Sequence, residues 1–287
     1  MTFRARRDRL RSILTGTRCI RPGSVYDAIS IRIAQDLGFE LGMFGGSVAS
    51  LAVLGDPDIA LITLTELAEQ VRRMSRAAAL PFLVDADHGY GNALNVRRTV
   101  QELESAGAAG LTIEDTLLPQ AFGEAKTQLI SLEEGVGKMK GALDGRGDPS
   151  FVILGRTGAV AITGLDDAIA RAKAYEATGV DGLFFTGIKT RSELDAITAA
   201  TTLPIVLGGA PEDMSELDYL ASRRVHIALQ GHAPISAATQ AVYETLKALR
   251  EGTPPKQLSG LASAELTARV SRETEVRSRS RDMLGST

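Results

Sequence analysis

Short apolar runs alternate with amphipathic segments along most of the chain. Runs rich in valine, isoleucine and leucine predict eight strands, at 17–21, 40–44, 81–85, 110–114, 151–155, 181–186, 204–208 and 225–230. The segments of helical periodicity predict helices at 26–37, 65–79, 93–106, 132–143, 165–178, 191–200, 215–222 and 233–250. This alternation is typical of β/α units around a parallel sheet that is buried on both faces. It predicts an α/β protein with a (β/α)8 TIM-type barrel, with an open doubly wound sheet as the alternative.

The pattern changes after residue 252. A proline-containing stretch, EGTPPKQL, leads into a charged helical segment over 262–283. The apolar positions of that segment are too sparse for an independent core. We therefore predict a catalytic barrel domain over residues 1–252 and a C-terminal helical tail over residues 253–287.

The composition excludes several classes of protein. The 32 Lys and Arg against 35 Asp and Glu give a net charge of −3, which is no electrostatic footprint for nucleic acid or an anionic membrane. The chain lacks the run of about 18 apolar residues that a membrane span needs. Cys19 is the single cysteine, so a disulfide scaffold is excluded. The basic N-terminus predicts a surface helix with a docking face of Leu10, Ile13 and Leu14 rather than a targeting peptide. We expect a soluble, cytoplasmic protein that acts on a small molecule.

Acidic residues follow the third and fourth predicted strands. Asp85 and Asp87 lie in VDADHGYG, and Glu114 lies in TIEDT. Because the carboxyl ends of barrel strands meet at one rim, these carboxylates should lie close together and repel unless a cation joins them. Oxygen ligands of this kind suit Mg²⁺ or Mn²⁺, with His88 outside the direct ligand set. The structural alternative is that the acids cap helices or pair with Arg97 or Arg98.

Polar residues also follow other strands at the same rim. Gly46 and Ser47, in GGS after the second strand, would bind a ligand through a backbone amide and a hydroxyl, or would simply form a turn. Arg156 in GRTGA has the planar guanidinium that suits a substrate carboxylate, with a surface salt bridge as the alternative. His232 in QGH would act as a hydrogen-bond donor, an acid or a base.

Taken in order, these motifs resemble the isocitrate lyase and phosphoenolpyruvate mutase superfamily over residues 10–250. The stretch from DADHGYG to LTIEDTLLPQAFG is most similar to its oxaloacetate decarboxylase branch. The resemblance implies Mg²⁺, a small α-keto acid or dicarboxylate substrate, and a homotetramer built as a dimer of helix-swapped dimers. It assigns Asp85 as the direct metal ligand and assigns Asp87 and Glu114 to metal-bound waters. The residues that it implies as substrate contacts are Gly46, Ser47, Arg156 and His232.

The loop after the fourth strand distinguishes this chain from other branches. Lyases of the superfamily carry a cysteine in KKCGH or KRCGH there, whereas this chain has LLPQAFGEAKTQLI. The resemblance therefore implies decarboxylation of oxaloacetate to pyruvate and CO₂ through a metal-stabilised enolate, with Arg156 and His232 as catalytic residues. Cleavage of a substituted malate or methylisocitrate, and mutase or hydrolase chemistry on phosphonopyruvate, are the alternatives. A binding barrel without catalysis is a third reading, because Gly158 stands where relatives have Asn or Asp.

Overall fold

The computed structural model describes residues 2–285, and the chain divides into two compact units between Gly231 and His232. Met1 and residues 286–287, at the ends of the two predicted domains, lie outside the described residues. The predicted domain boundary after residue 252 stays a prediction. The strands of the first unit are β1 (Gly23–Ser24), β2 (Gly42–Phe44), β3 (Phe82–Asp85), β4 (Gly110–Glu114), β5 (Val152–Thr157), β6 (Gly182–Phe185), β7 (Ile205–Leu207) and β8 (Val225–Ala228).

Helices follow most of these strands. Those of the first unit are α1 (Phe3–Leu14), α2 (Ala28–Asp36), α3 (Gly46–Val53), α4 (Leu64–Ala77), α5 (Ala93–Ala106), α6 (Leu132–Gly145), α7 (Ala159–Ile162), α8 (Leu165–Glu176), α9 (Arg191–Ala200) and α10 (Leu217–Ser222), with a 3₁₀ turn at Glu212–Met214. Those of the second unit are α11 (Ala233–Arg250), α12 (Ala264–Ser271) and α13 (Glu273–Leu284), with a 3₁₀ turn at Pro255–Gln257. Within residues 2–285, no helix has the length and apolar character to cross a membrane.

The eight strands form one parallel sheet in chain order, β1 to β8. Ile20, just before β1, closes the ring against β8: its N–H donates to the carbonyl of His226 at 2.9 Å, and its carbonyl accepts from Ala228 N–H at 3.0 Å. The predicted TIM-type α/β fold is confirmed. The first predicted strand, 17–21, is wrong in position. Pro22 has no N–H to donate, so the ladder is interrupted between the Ile20 bridge and β1.

Helix α1 covers the N-terminal end of the barrel. Leu10 and Leu14 are buried in the same apolar cluster as Leu83 and Val206 of the strands. The Arg11 guanidinium donates to the carbonyls at 149 and 150, just before β5. The predicted docking face of this helix is therefore confirmed, and the carboxyl ends of the strands lie at the opposite end of the barrel.

Residues at both ends of α5 determine where this helix begins and ends, and its bounds agree with the prediction. The Asn92 side chain caps the helix by accepting from the N–H of Leu94 at 2.9 Å. Gly107 ends it in a left-handed conformation with φ of 101°. Between these ends, Val96, Val100 and Leu103 are fully buried on one face.

Asp148 links α1 to the segment that enters β5. Its carboxylate accepts from the N–H and hydroxyl of Ser150 at 2.9 and 2.7 Å and from Arg7 Nη1 at 2.9 Å. Burial acts to raise the pKa of Asp148, but these hydrogen bonds and the charge of Arg4 outweigh it and lower the pKa to about 2. The folded state therefore favours the ionised carboxylate.

We expect Asp148→Asn to lower the free energy of unfolding by about 1 kcal/mol at neutral pH. The folded-state pKa lies below the ordinary value of 3.8. The contribution is therefore complete above pH 3.8 and is lost as the pH falls toward about 2. Urea titrations of both proteins at neutral pH and near pH 3 check this, with the exposed Asp144→Asn as control. A difference that stays constant with pH would contradict it.

Candidate active site

The register of β3, β4 and β5 brings two carboxylates and an arginine together. Asp85 ends β3 beside Thr112 of β4, and Glu114 ends β4 beside Arg156 of β5. Arg156 Nη1 donates to Asp85 Oδ2, and its Nη2 lies 3.1 Å from Glu114 Oε2. One guanidinium thus joins the carboxylates of two strands at the carboxyl end of the barrel, with its charge 5.3 Å from the centroid of the Phe184 ring.

The loop after β3 folds Asp87 back toward Asp85. Asp85 Oδ1 accepts from the Thr112 hydroxyl at 3.0 Å and from the N–H of Asp87 at 3.3 Å. Asp87 itself has a left-handed backbone, with φ of 47°. A Cβ built on Gly46 would lie 2.2 Å from Asp87 Oδ1. Residue 46 must therefore lack a side chain for the carboxylate to occupy this position.

The three carboxylates are buried and incompletely neutralised. Asp85, Asp87 and Glu114 expose only 9%, 7% and 8% of their surface. Burial, and then the charges of neighbouring carboxylates, raises the pKa of Asp87 well above its usual value. Burial likewise raises the pKa of Glu114, although Arg156 acts in the opposite direction. One arginine therefore offsets only part of the negative charge gathered here.

This set of oxygen donors fits a hard divalent cation. Among residues 2–285, no three or more His, Cys, Asp or Glu side chains are arranged as a complete ligand set. Mg²⁺ does not need one, because it usually keeps several waters and binds one or two carboxylates. Mg²⁺ prefers oxygen ligands. This site offers buried carboxylates from three segments, close to one another and only partly balanced by positive charge.

Sequence reasoning missed Asp58 and Tyr90. Asp58, between α3 and α4, is near enough that its charge raises the pKa of both Asp87 and Tyr90. The Tyr90 hydroxyl is buried and has no hydrogen-bond partner within the described part of the chain. Tyr90 lies inside the VDADHGYG motif, whereas the available signal for Asp58 was only its acidic, proline-containing segment GDPDIA.

His88 is anchored through its backbone rather than exposed at the rim. Its carbonyl accepts from Lys138 Nζ at 2.8 Å, and its ring lies 5.7 Å from that of Tyr90. Burial, and then the charge of Lys138, lowers the pKa of His88 to about 4. The imidazole is therefore neutral at neutral pH, and its Nδ1 has no hydrogen-bond partner among residues 2–285.

Asp115, next to Glu114, faces away from the rim cluster. It is fully buried and accepts from the Tyr175 hydroxyl at 2.7 Å and from Arg171 Nη1 at 3.1 Å. Arg171 also donates to the carbonyl of Ile130 at 3.0 Å. Asp115 therefore ties β4 to α8 and to the end of the loop that precedes α6.

Pairing of the rim acids with Arg97 or Arg98, the structural alternative, is not what the structure shows. Arg97 Nε lies 2.6 Å from Asp144 Oδ2, and Arg98 pairs with Glu102 one helical turn away. Both arginines are thus engaged on the outside of α5.

Of the remaining residues predicted to contact the substrate, Ser47 lies in the first unit and His232 in the second. Ser47 is the second residue of α3, directly after Gly46. His232 begins the second unit, where it precedes α11. Within the first unit the structure brings Gly46 against the Asp87 carboxylate and brings Arg156 against Asp85 and Glu114. The role of His232 stays a prediction.

Comparisons with known proteins identify the family to which this chain belongs. The phosphoenolpyruvate phosphomutase family matches residues 10–250. An oxaloacetate decarboxylase of Bradyrhizobium sp. strain BTAi1 is 82% identical over 281 residues, 98% of each chain, and one of strain ORS 278 is 80% identical over 285 residues, 99% of each chain. A solved phosphonopyruvate hydrolase in complex with oxalate and Mg²⁺ has a TM-score of 0.84 at 26% identity, over 97% of this chain and 99% of its own. The resemblance seen in the motifs is confirmed, and the chain belongs to the phosphoenolpyruvate phosphomutase family.

Proposed function

We propose that this chain is a carboxy-lyase that decarboxylates oxaloacetate to pyruvate and CO₂ with Mg²⁺, or alternatively Mn²⁺, as its cofactor. The observation that carries the proposal is the buried cluster of Asp85, Asp87 and Glu114 around Arg156. It is supported by relatives, 80–82% identical over nearly the whole chain, that are named oxaloacetate decarboxylase.

Asp85 would hold the metal directly, with Asp87 and Glu114 reaching it through water. When bound, Mg²⁺ supplies a Lewis acid that withdraws electrons from the C2 carbonyl of the substrate. The cluster supports this assignment because its carboxylates are buried, adjacent and only partly balanced by Arg156.

The side chains around the cluster would bind the substrate and stabilise developing charge. In the proposed reaction the C3–C4 bond breaks, its electron pair forms the enolate of pyruvate, and C4 leaves as CO₂. Arg156 would bind a substrate carboxylate, and the Ser47 hydroxyl and the Gly46 amide would stabilise negative charge beside it. His232 would either orient the departing carboxylate or deliver the proton that C3 takes up.

We further propose a homotetramer, a dimer of helix-swapped dimers, in the cytoplasm. The support is the resemblance together with the helical tail beyond the last β/α unit. Light scattering on the purified protein tests the assembly, and a monomer would contradict it.

The purified protein should release pyruvate from oxaloacetate in the presence of Mg²⁺. We expect EDTA to abolish turnover and added Mg²⁺ or Mn²⁺ to restore it, because the carboxylate cluster would hold the metal. A coupled pyruvate assay measures the rate against a protein-free control, since the metal alone also catalyses the reaction. Protein-dependent turnover of phosphonopyruvate, dimethylmalate or methylisocitrate, but not of oxaloacetate, would contradict the proposal.

Removing Asp85 and removing Arg156 should have separable effects. Asp85→Ala should lose metal binding and activity by about 100-fold or more, because a direct ligand is removed. Arg156→Ala should still bind Mn²⁺ but should raise KM or lower kcat, because the substrate partner is lost. Calorimetric Mn²⁺ titrations and steady-state kinetics on both variants check this. Loss of Mn²⁺ binding in Arg156→Ala would contradict the division of roles.

A methyl group at residue 46 should displace the Asp87 carboxylate. We expect Gly46→Ala to weaken Mn²⁺ binding by about tenfold without lowering thermal stability, because alanine itself favours the helix that begins here. Gly137→Ala in α6 is the matched control, since a Cβ there would meet no atom within 4 Å. Equal Mn²⁺ affinities for the two variants would show that the close contact has no consequence.

A further inference from the structure

Lys138 is a buried cation that the proposed reaction does not use. It lies on α6, exposes 3% of its surface, and donates from Nζ to the carbonyl of His88 at 2.8 Å. Full burial of a lysine is rare because the ammonium loses its hydration. Its position therefore depends on what it contacts, and that contact lies in the loop that carries Asp87.

This loop holds its shape through contacts with other elements. Asp87 and Tyr90 both have left-handed backbones, with φ of 47° and 62°, which is unfavourable for residues with a side chain. Three consecutive carbonyls, at 87, 88 and 89, each accept a hydrogen bond from outside the loop. Their donors are, in order, the N–H of Glu114 at 2.9 Å, Lys138 Nζ at 2.8 Å and the Thr99 hydroxyl at 3.0 Å.

Lys138 supplies the middle contact, directly after Asp87. Because the His88 carbonyl follows the Asp87 Cα by one peptide unit, fixing this carbonyl restricts the rotation that would turn the Asp87 side chain away from the cluster. The Asp87 carboxylate already abuts Gly46, so a small rotation of the backbone would move it out of that close fit.

The charge of Lys138 has a separate effect. The carboxylates whose charges act on it are Glu134 of its own helix and Glu114 and Asp115 at the end of β4. As a charge alone, Lys138 would repel a divalent cation at the rim, and its removal would strengthen cation binding. As a support for the loop, its removal would weaken cation binding. The two roles predict changes of opposite sign.

We propose that Lys138 is a positioning residue for the metal site, which holds the Asp87 loop in its binding conformation through the His88 carbonyl. The inference rests on the proposed function, because the site that it positions is the one proposed there. Removing a hydrogen-bond partner of a metal ligand typically lowers metal affinity by about 10- to 100-fold. Lys138 acts one residue further away, on the carbonyl of His88, so we expect an effect near the lower end of that range. We expect the support to outweigh the repulsion, since Lys138 contacts the loop directly.

Mn²⁺ binding measured by electron paramagnetic resonance tests this, since free Mn²⁺ can be counted without turnover. We expect Lys138→Met to weaken Mn²⁺ binding by about tenfold or more, and Lys138→Arg to recover part of the affinity. Lys140→Met, on the exposed side of the same helix, should bind as the wild type does. At saturating Mn²⁺, kcat of Lys138→Met should return to within a few-fold of wild type, because the proposed role of Lys138 is to position the metal site and not to bind the substrate.

Unchanged or tighter Mn²⁺ binding by Lys138→Met would overturn the inference, since that is the outcome of a purely electrostatic role. If the methionine variant does not fold, Lys138→Leu, which likewise has no hydrogen-bond donor, is measured instead, with the same expected weakening and the same contradicting outcome. A wild type that binds no Mn²⁺ or does not turn over oxaloacetate would refute the proposed function. A competent wild type with equally competent Lys138 variants would refute only the positioning role.

Discussion

The ion pairs of Arg156 with Asp85 and Glu114 offset much of the cost of burying carboxylates at the carboxyl end of this barrel. Burying carboxylates costs free energy unless positive charge and hydrogen bonds compensate, and Arg156 supplies both from the strand next to β4. Breaking such a buried pair typically costs about 3–5 kcal/mol, because it leaves an unpaired charge. Arg156 therefore stabilises the free protein, and in the proposed reaction it would also bind a substrate carboxylate.

Arg156 offsets only part of the negative charge of the three buried carboxylates, and this favours the binding of a cation. Burial raises the pKa of Asp87, and the neighbouring carboxylates raise it further. Electrostatic strain of this kind is relieved by a proton or by a cation, and a divalent cation relieves more of it than a proton does. The barrel thus gathers carboxylates at its rim, Asp85 and Glu114 through strand register and Asp87 through the loop after β3.

The sequence predicted the barrel and the residues that end its strands, because both follow from local patterns. Apolar runs and helix caps are recognised within a few residues of one another. Asp85 and Glu114 are the last residues of their strands, and Arg156 is the last but one of β5. The start of the first strand was misplaced, since Pro22 interrupts the ladder by a missing donor rather than by a change in hydropathy. The positions of Lys138 and Asp58 near the cluster could not be predicted, because they arise from interactions between segments distant in the sequence.

The two ends of the barrel divide stability and function between them. At the N-terminal end, Arg11 lies 2.9 Å from Asp181, and Arg7 lies 2.9 Å from Asp148, so these two arginines of α1 each have a carboxylate partner. At the carboxyl end, carboxylates outnumber the arginine that they share. Burying more carboxylates than arginines at the rim costs free energy of folding. The core and the opposite end of the barrel must be stable enough to offset that cost. The closed ring of strands and the covering helix α1 supply that stability, because together they bury the apolar cluster inside the barrel.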